Sequence, residues 1–301
     1  MMKLDALRVT SADVASLFPK LPDRANKGMM GRVLLVCGSY DPKGLSMAGA
    51  AYLAAMAAYR IGAGIVEIFT PKENYSVLAA LVPEAIFSLY GIDEEPYLVT
   101  ARVKNAVERA DAVCVGCGLG KSDLARALLK SVLESARVPL LIDADGLNIL
   151  AENKEMWSLI SADVLPKTVI TPHPGEMSRL CGIGITDILR APESVACDFA
   201  SEKGIVCLLK DHNTVISDGK CTYINNSGNP GMATAGMGDV LAGVIAALLA
   251  RVDLTAENGI LLSAAVGAHI HGRAGDLASE RCGQYSLTAR ELLSEFDSAI
   301  E

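Results

Sequence analysis

Aromatic residues make up only 5% of this 301-residue chain, although hydrophobic residues reach 51%. The interior must therefore be built mainly from aliphatic side chains, alanine and glycine, a composition that suits helices packed closely on a sheet. A chain of this length can bury a large core, as one big α/β domain or as two small ones. No Pro/Ser-rich linker, long run of like charge, low-complexity tract or repeat of fixed period divides it, which favours a single domain. Basic excess is also missing, with a formal net charge of -8, and this argues against a nucleic-acid partner, whose footprint would be a basic stripe. Anionic small molecules stay open, because screening confines the global field to a Debye length of roughly 8 Å.

The N-terminus, with Lys3, Asp5 and Arg8, lacks the apolar core of a signal peptide. The longest apolar runs, such as Val240 to Ala250, are too short to span a bilayer. Nothing points to a membrane or to export, so a cytoplasmic location is expected and the eight cysteines read as reduced thiols. Cys114 and Cys117 form the one C-x-x-C pair, but no second ligand pair stands at zinc-site spacing. They read as buried small residues. His269 and His271 are two apart, so on a helix they point in different directions and do not suit a shared metal.

Strand and helix patterns alternate. Arg32 to Gly38 is an apolar run ending in glycine, as expected of a parallel strand buried on both faces. An Ala-rich helix follows over Ser46 to Arg60, and a strand over Ile65 to Thr70. Further strands are expected at Ala112 to Val115, Pro139 to Ile142, Thr168 to Thr171 and Ile205 to Leu209. Helices are expected at Asp123 to Ser135, Gly175 to Cys181 and Pro192 to Lys203. Asn213 to Ser217 and Cys221 to Asn225, on either side of Asp218-Gly219, read as a hairpin, and from Val240 the chain reads as helical almost to its end. The pattern implies an α/β fold with a mainly parallel sheet covered by helices on both faces, in which ligands bind beyond the carboxyl ends of the strands.

The polar loops fall on that rim. Asn225-Asn226-Ser227-Gly228-Asn229-Pro230-Gly231-Met232-Ala233-Thr234-Ala235-Gly236-Met237-Gly238-Asp239 runs into an apolar helix, whose first amides lack internal partners and favour a phosphate. Gly236 and Gly238 leave room for that phosphate. Asp239 would repel it, and is better explained as the acceptor of a proton from a hydroxyl that attacks phosphorus. The plain alternative is a buried helix whose Asp caps its first turn. Gly38 to Ala50 lacks G-x-G-x-x-G spacing, so a standard dinucleotide fingerprint is rejected. Asp143 and Asp145 could be a working pair or a turn former and an N-cap. His173, between two prolines, could donate to a substrate or merely satisfy its loop. Lys210, closing a strand, could pair with a nucleotide phosphate.

Gly38-Ser39, Asp143 to Asn148, Thr171-Pro172-His173-Pro174-Gly175-Glu176, Lys210 with Thr214, and Asn229 to Gly243 occur in the order found in ADP- or ATP-dependent NAD(P)H-hydrate dehydratases. The chain resembles that family over about residues 10 to 297. The resemblance implies a ribokinase-like fold, a single dehydratase domain over 1–301 and repair of the S epimer of hydrated NADH and NADPH. It implies ADP or ATP as phosphoryl donor, accompanying Mg2+ with no ligands identified, and a homotetramer. It places Ala50, Gly118, His173 and Asp239 at the hydrate, and Lys210, Asp211, His212, Asn213, Thr214, Gly236, Met237 and Gly238 at the nucleotide. Asp239 would be the catalytic residue. Met237 departs from the family, which often has Ser or Thr there, and Asp211 stands where glycine is common. The N-terminal epimerase domain of many relatives is expected to be absent. A small-molecule kinase of the same fold is the rival reading, and a non-catalytic nucleotide sensor a more distant one.

Overall fold

The computed structural model describes residues 6–301, so Lys3 and Asp5 of the N-terminal reading lie outside it. Eleven strands occur among these residues: β1 (Arg32–Val36), β2 (Tyr40–Asp41), β3 (Leu45–Ser46), β4 (Ile65–Pro71), β5 (Ile86–Tyr90), β6 (Ala112–Val115), β7 (Leu140–Ile142), β8 (Thr168–Ile170), β9 (Val206–Leu209), β10 (Thr214–Ser217) and β11 (Thr222–Asn225). Nine of them form one sheet in the order β11-β10-β9-β8-β7-β6-β1-β4-β5, while β2 and β3 make a small separate ribbon. From β9 to β5 every pairing is parallel. β10 runs antiparallel to both β9 and β11, as expected of the hairpin.

Alternation along each strand divides the core in two. Val33 and Leu35 of β1 join one cluster, packed beneath helices Ala48–Arg60, Met237–Leu249 and Gly259–Cys282. Leu34 and Val36 point the other way, under helices Pro96–Val107, Asp123–Ser135 and Pro192–Lys203. A strand buried on both faces cannot afford polar positions, which is why β1, β6 and β9 read as continuous apolar runs. The small aliphatic composition matters most on the first face. There Gly243 meets the helix Ala48–Arg60 so closely that a Cβ would lie 2.1 Å from the Ala54 carbonyl oxygen.

Several boundaries differ from the sequence reading. The Ala-rich helix starts at Ala48, because Leu45 and Ser46 pair with Tyr40 and Asp41 instead. The helix expected from Val240 begins at Met237, and the last long helix covers Gly259–Cys282. β5 and the helices Tyr75–Leu81 and Pro96–Val107 were not foreseen. β5 is the edge of the sheet and its side chains are mostly half-exposed, although its sequence Ile86-Phe87-Ser88-Leu89-Tyr90 is as apolar as that of an inner strand.

Candidate active site

β6, β7, β8 and β9 all end on one rim, and each hands over to a loop that carries a polar or small residue. After β6 the chain turns through Gly116, whose φ of +126° and whose approach to the Asp143 carbonyl, 1.9 Å from an ideal Cβ, leave room for glycine alone. The next residues, Cys117 and Gly118, are buried. Gly118 lies against helix Ala48–Arg60, its ideal Cβ 2.9 Å from that of Ala50. Ala50 and Gly118, far apart in sequence, are therefore neighbours.

Asp143 follows β7 and is buried at 2% exposure. Its Oδ1 accepts from Thr171 Oγ1 at 2.7 Å and from Lys210 Nζ at 2.8 Å, which ties the ends of β7, β8 and β9 together. The Cys117 thiol faces its Oδ2 at 3.8 Å. Asp145 instead accepts from the Gly120 amide at 2.8 Å. The two acids thus divide the roles that sequence left open: Asp145 braces the loop after β6, and Asp143 is one half of a buried ion pair. Burial pulls the Lys210 ammonium down, but the carboxylates of Asp143 and Glu176 outweigh this and hold it above its usual range.

Helix Met237–Leu249 points its N-terminus at this cluster. Gly236, its N-cap, has φ +91°, and no side chain caps the helix, so the first amides keep their capacity for an anion. His271, buried on helix Gly259–Cys282, hydrogen-bonds the Met237 carbonyl through Nε2 at 3.0 Å. Burial drives this imidazole down to about 4, so it stays neutral and donates. The Met237 side chain is itself buried, which accounts for a thioether where a hydroxyl was expected: the position is anchored through its backbone and its side chain fills the core.

Asp239 lies in the first turn of the same helix. Burial, and next the charge of Asp143, push its carboxyl up to about 6, although the Cys117 thiol and the Lys210 ammonium oppose the shift. Asp239 is therefore a carboxylate at neutral pH with more than ordinary proton affinity, a combination suited to general-base work.

Beside the helix N-terminus opens a cleft of about 690 Å³. Lys210, Asp211, His212, Asn213 and Thr214 form one wall, Met237 and Gly238 the floor, and Leu241, Ala268 and Met232 an apolar side. Seven of the eight residues assigned to a nucleotide line it, and Gly236 lies just outside. His173 also lines this cleft. Its Nδ1 accepts from the Gly175 and Glu176 amides, and Glu176 accepts from the His173 amide, which makes a capping box for helix Pro174–Cys181. Ala50, Gly118 and Asp239 are outside the cleft lining. Ala50 and Gly118 pack together, and the Asp239 carboxyl is under the influence of Asp143 and the Cys117 thiol.

Sequence reading missed Asp276, whereas Asn225 to Ser227 belong to the polar stretch it singled out before the apolar helix. Asp276 accepts from the Gly228 amide and from Asn229 Nδ2, at 2.9 and 3.0 Å, and so latches the Asn-Pro-Gly turn to helix Gly259–Cys282. Asn225, Asn226 and Ser227 line the cleft. No local pattern marks Asp276, whose partners lie 47 and 48 residues away. Among the described residues no group of three or more His, Cys, Asp or Glu is placed to hold a metal ion. Cys114 and Cys117 are both fully buried.

The family model for NAD(P)H-hydrate dehydratase matches residues 33–297. The chain belongs to this family. It is 38% identical over 285 residues to a bifunctional NAD(P)H-hydrate repair enzyme of Coxiella burnetii, an alignment that covers 92% of this chain and 52% of that protein. The chain thus spans about half the length of the curated relatives it matches. A ribokinase-like superfamily protein of Enterococcus faecalis superposes with a TM-score of 0.82 at 26% identity, covering 100% of this chain and 97% of that one. The fold is also that of an ADP/ATP-dependent NAD(P)H-hydrate dehydratase of Bacillus subtilis, crystallised with ATP and Mg2+, with a TM-score of 0.79, 24% identity and full coverage of both chains. The dehydratase family and the ribokinase-like α/β architecture expected from the motifs are both met.

Proposed function

We propose that this protein dehydrates the S epimer of hydrated NADH or NADPH at the expense of ADP or ATP. The observation that carries the reading is Asp239, a desolvated carboxylate in the first turn of an uncapped helix whose Gly238 faces both Lys210 and the cleft. The nucleotide occupies the cleft, with its terminal phosphate at the amides of Gly236, Met237 and Gly238 and beside Lys210. The hydrate lies on the side of Ala50, Gly118 and Asp239, with His173 at the boundary.

Asp239 accepts the proton of the ring hydroxyl as its oxygen attacks the terminal phosphorus. The new O–P bond forms as the phosphoanhydride bond breaks, and the shortened nucleotide departs. Charge that develops on the transferred group is met by the helix amides and by Lys210. The ring nitrogen then expels the phosphate, a neighbouring carbon gives up a proton, and the dihydronicotinamide double bond is restored. Mg2+ bound to the nucleotide would offset phosphate charge, and such an ion commonly takes only one or two protein carboxylates.

The reading extends to cytoplasmic residence, in keeping with eight free cysteines, and to a tetramer by analogy with relatives. Among the described residues no helix is long and apolar enough to cross a membrane. Incubation with NADH hydrate and ADP or ATP tests the activity. Dihydronicotinamide absorbance should return only when nucleotide is present, one phosphate being released per turnover. Stable phosphorylation of another alcohol, with no such recovery, would select the rival kinase reading.

A further inference from the structure

Asp143 is not needed to touch either substrate, yet it stands between both halves of the site. Its Oδ1 holds Lys210, which lines the nucleotide cleft. Its Oδ2 faces the Cys117 thiol, and both Asp143 and that thiol bear on the Asp239 carboxyl. Gly238, one residue before Asp239, faces both members of the pair: its ideal Cβ would lie 3.6 Å from Lys210 Nζ and 3.8 Å from Asp143 Oδ2. An anion at the helix amides is thus within reach of the Lys210 ammonium.

Resting on the function proposed above, we propose that Asp143 is a positioning residue that couples nucleotide occupancy to the basicity of Asp239. With the cleft empty, Lys210 neutralises Asp143. An arriving phosphate competes for the ammonium. Asp143 is then left with only neutral donors, the Thr171 hydroxyl and the Cys117 thiol, inside a water-poor pocket. Its uncompensated charge raises the proton affinity of the neighbouring carboxylate, so the base strengthens when the phosphoryl donor is in place and stays weaker without it.

The groups that face Asp239 and Lys210 from the surrounding elements fit this account. Cys37 after β1 and Cys117 after β6 are thiols held protonated, chiefly by burial for Cys37 and by the Cys114 contact and burial for Cys117. Asp145 adds negative charge from the first turn of the helix Asp145–Glu152 that follows β7. Glu176, buried in helix Pro174–Cys181, bears on Lys210 from the β8 side. His271 is neutral. Lys210 is the cation that opposes proton uptake by Asp239, and its redistribution is the event that the base senses.

The test is a titration that needs no turnover. Asp239 is followed by carboxyl-carbon NMR in Asp-labelled protein, its resonance assigned from Asp239→Asn, with and without saturating ADP. In the wild type, ADP should move the Asp239 titration to higher pH. In Asp143→Asn the titration should start lower and respond less to ADP, any remaining shift being the direct effect of phosphate charge. Lys210→Met, without nucleotide, should move proton uptake by the Asp143/Asp239 pair upward, opposite to Asp143→Asn. A merely structural Asp143 would not produce variants of opposite sign. An equal ADP-induced shift in wild type and Asp143→Asn overturns the coupling, as does no shift in a wild type that visibly binds ADP. Failure of ADP to perturb the cleft residues at all overturns the functional reading, and the coupling with it.

Discussion

Asp239 sits where folding alone would not keep a charged carboxylate. Its elevation to about 6, set first by burial and then by Asp143, means that the folded chain holds this proton more tightly than the unfolded chain. The resulting penalty is absent below the unfolded value of about 4, grows as pH rises and is complete above about 6, where it amounts to about 2–3 kcal/mol. Asp239→Asn should therefore raise the melting temperature at pH 8, and the advantage over the wild type should vanish near pH 4. An equal or lower melting temperature at pH 8 would contradict the assigned environment. Asp239 and Lys210 were legible in the sequence, because Asp239 opens an apolar helix behind a glycine-bearing turn and Lys210 closes an apolar strand. Asp143 was visible but its role was not, since its partners Thr171 and Lys210 are 28 and 67 residues away and only the parallel register of β7, β8 and β9 brings them together.

At the scale of the element, the N-terminus of helix Met237–Leu249 is held by features of two kinds. The Gly-rich turn gives the geometry, and it was readable from spacing. The His271 bond to the Met237 carbonyl supplies the anchor, and no pattern local to either residue announced it. The two glycines differ in what they demand. A Cβ on Gly236 would meet a Leu53 methyl at 2.4 Å, at a φ of +91° that L-residues disfavour. Gly236→Ala should cost about 1–3 kcal/mol in urea unfolding. A Cβ on Gly238 meets nothing closer than 3.6 Å, and its neighbours there are Lys210 and Asp143. Gly238→Ala should keep the wild-type urea midpoint or exceed it, while weakening ADP binding because the methyl enters the space proposed for phosphate. Equal losses of stability in both variants would show that the turn is only a packing device. The missed strand β5 teaches a related point: its five residues are apolar enough for a strand, but it is short and lies at the sheet edge, where only its pairing with β4 identifies it.

For the molecule as a whole, alternating apolar runs and helices sufficed to give a mainly parallel sheet and to place its working rim. The convergence of four strand ends on a single cluster follows from strand order β9-β8-β7-β6, which periodicity alone does not reveal. The order of the motifs along the chain supplied that missing piece through family resemblance, and membership over residues 33–297 agrees with it. The central claim concerns one proton: Asp239 removes it from the ring hydroxyl while the neighbouring amides hold phosphate. Turnover of NADH hydrate by Asp239→Asn, measured beside ADP affinity of the same preparation, tests this most directly. The account predicts a fall in kcat of about 10²–10⁴ with ADP bound about as tightly as by the wild type. Turnover near the wild-type rate would contradict it.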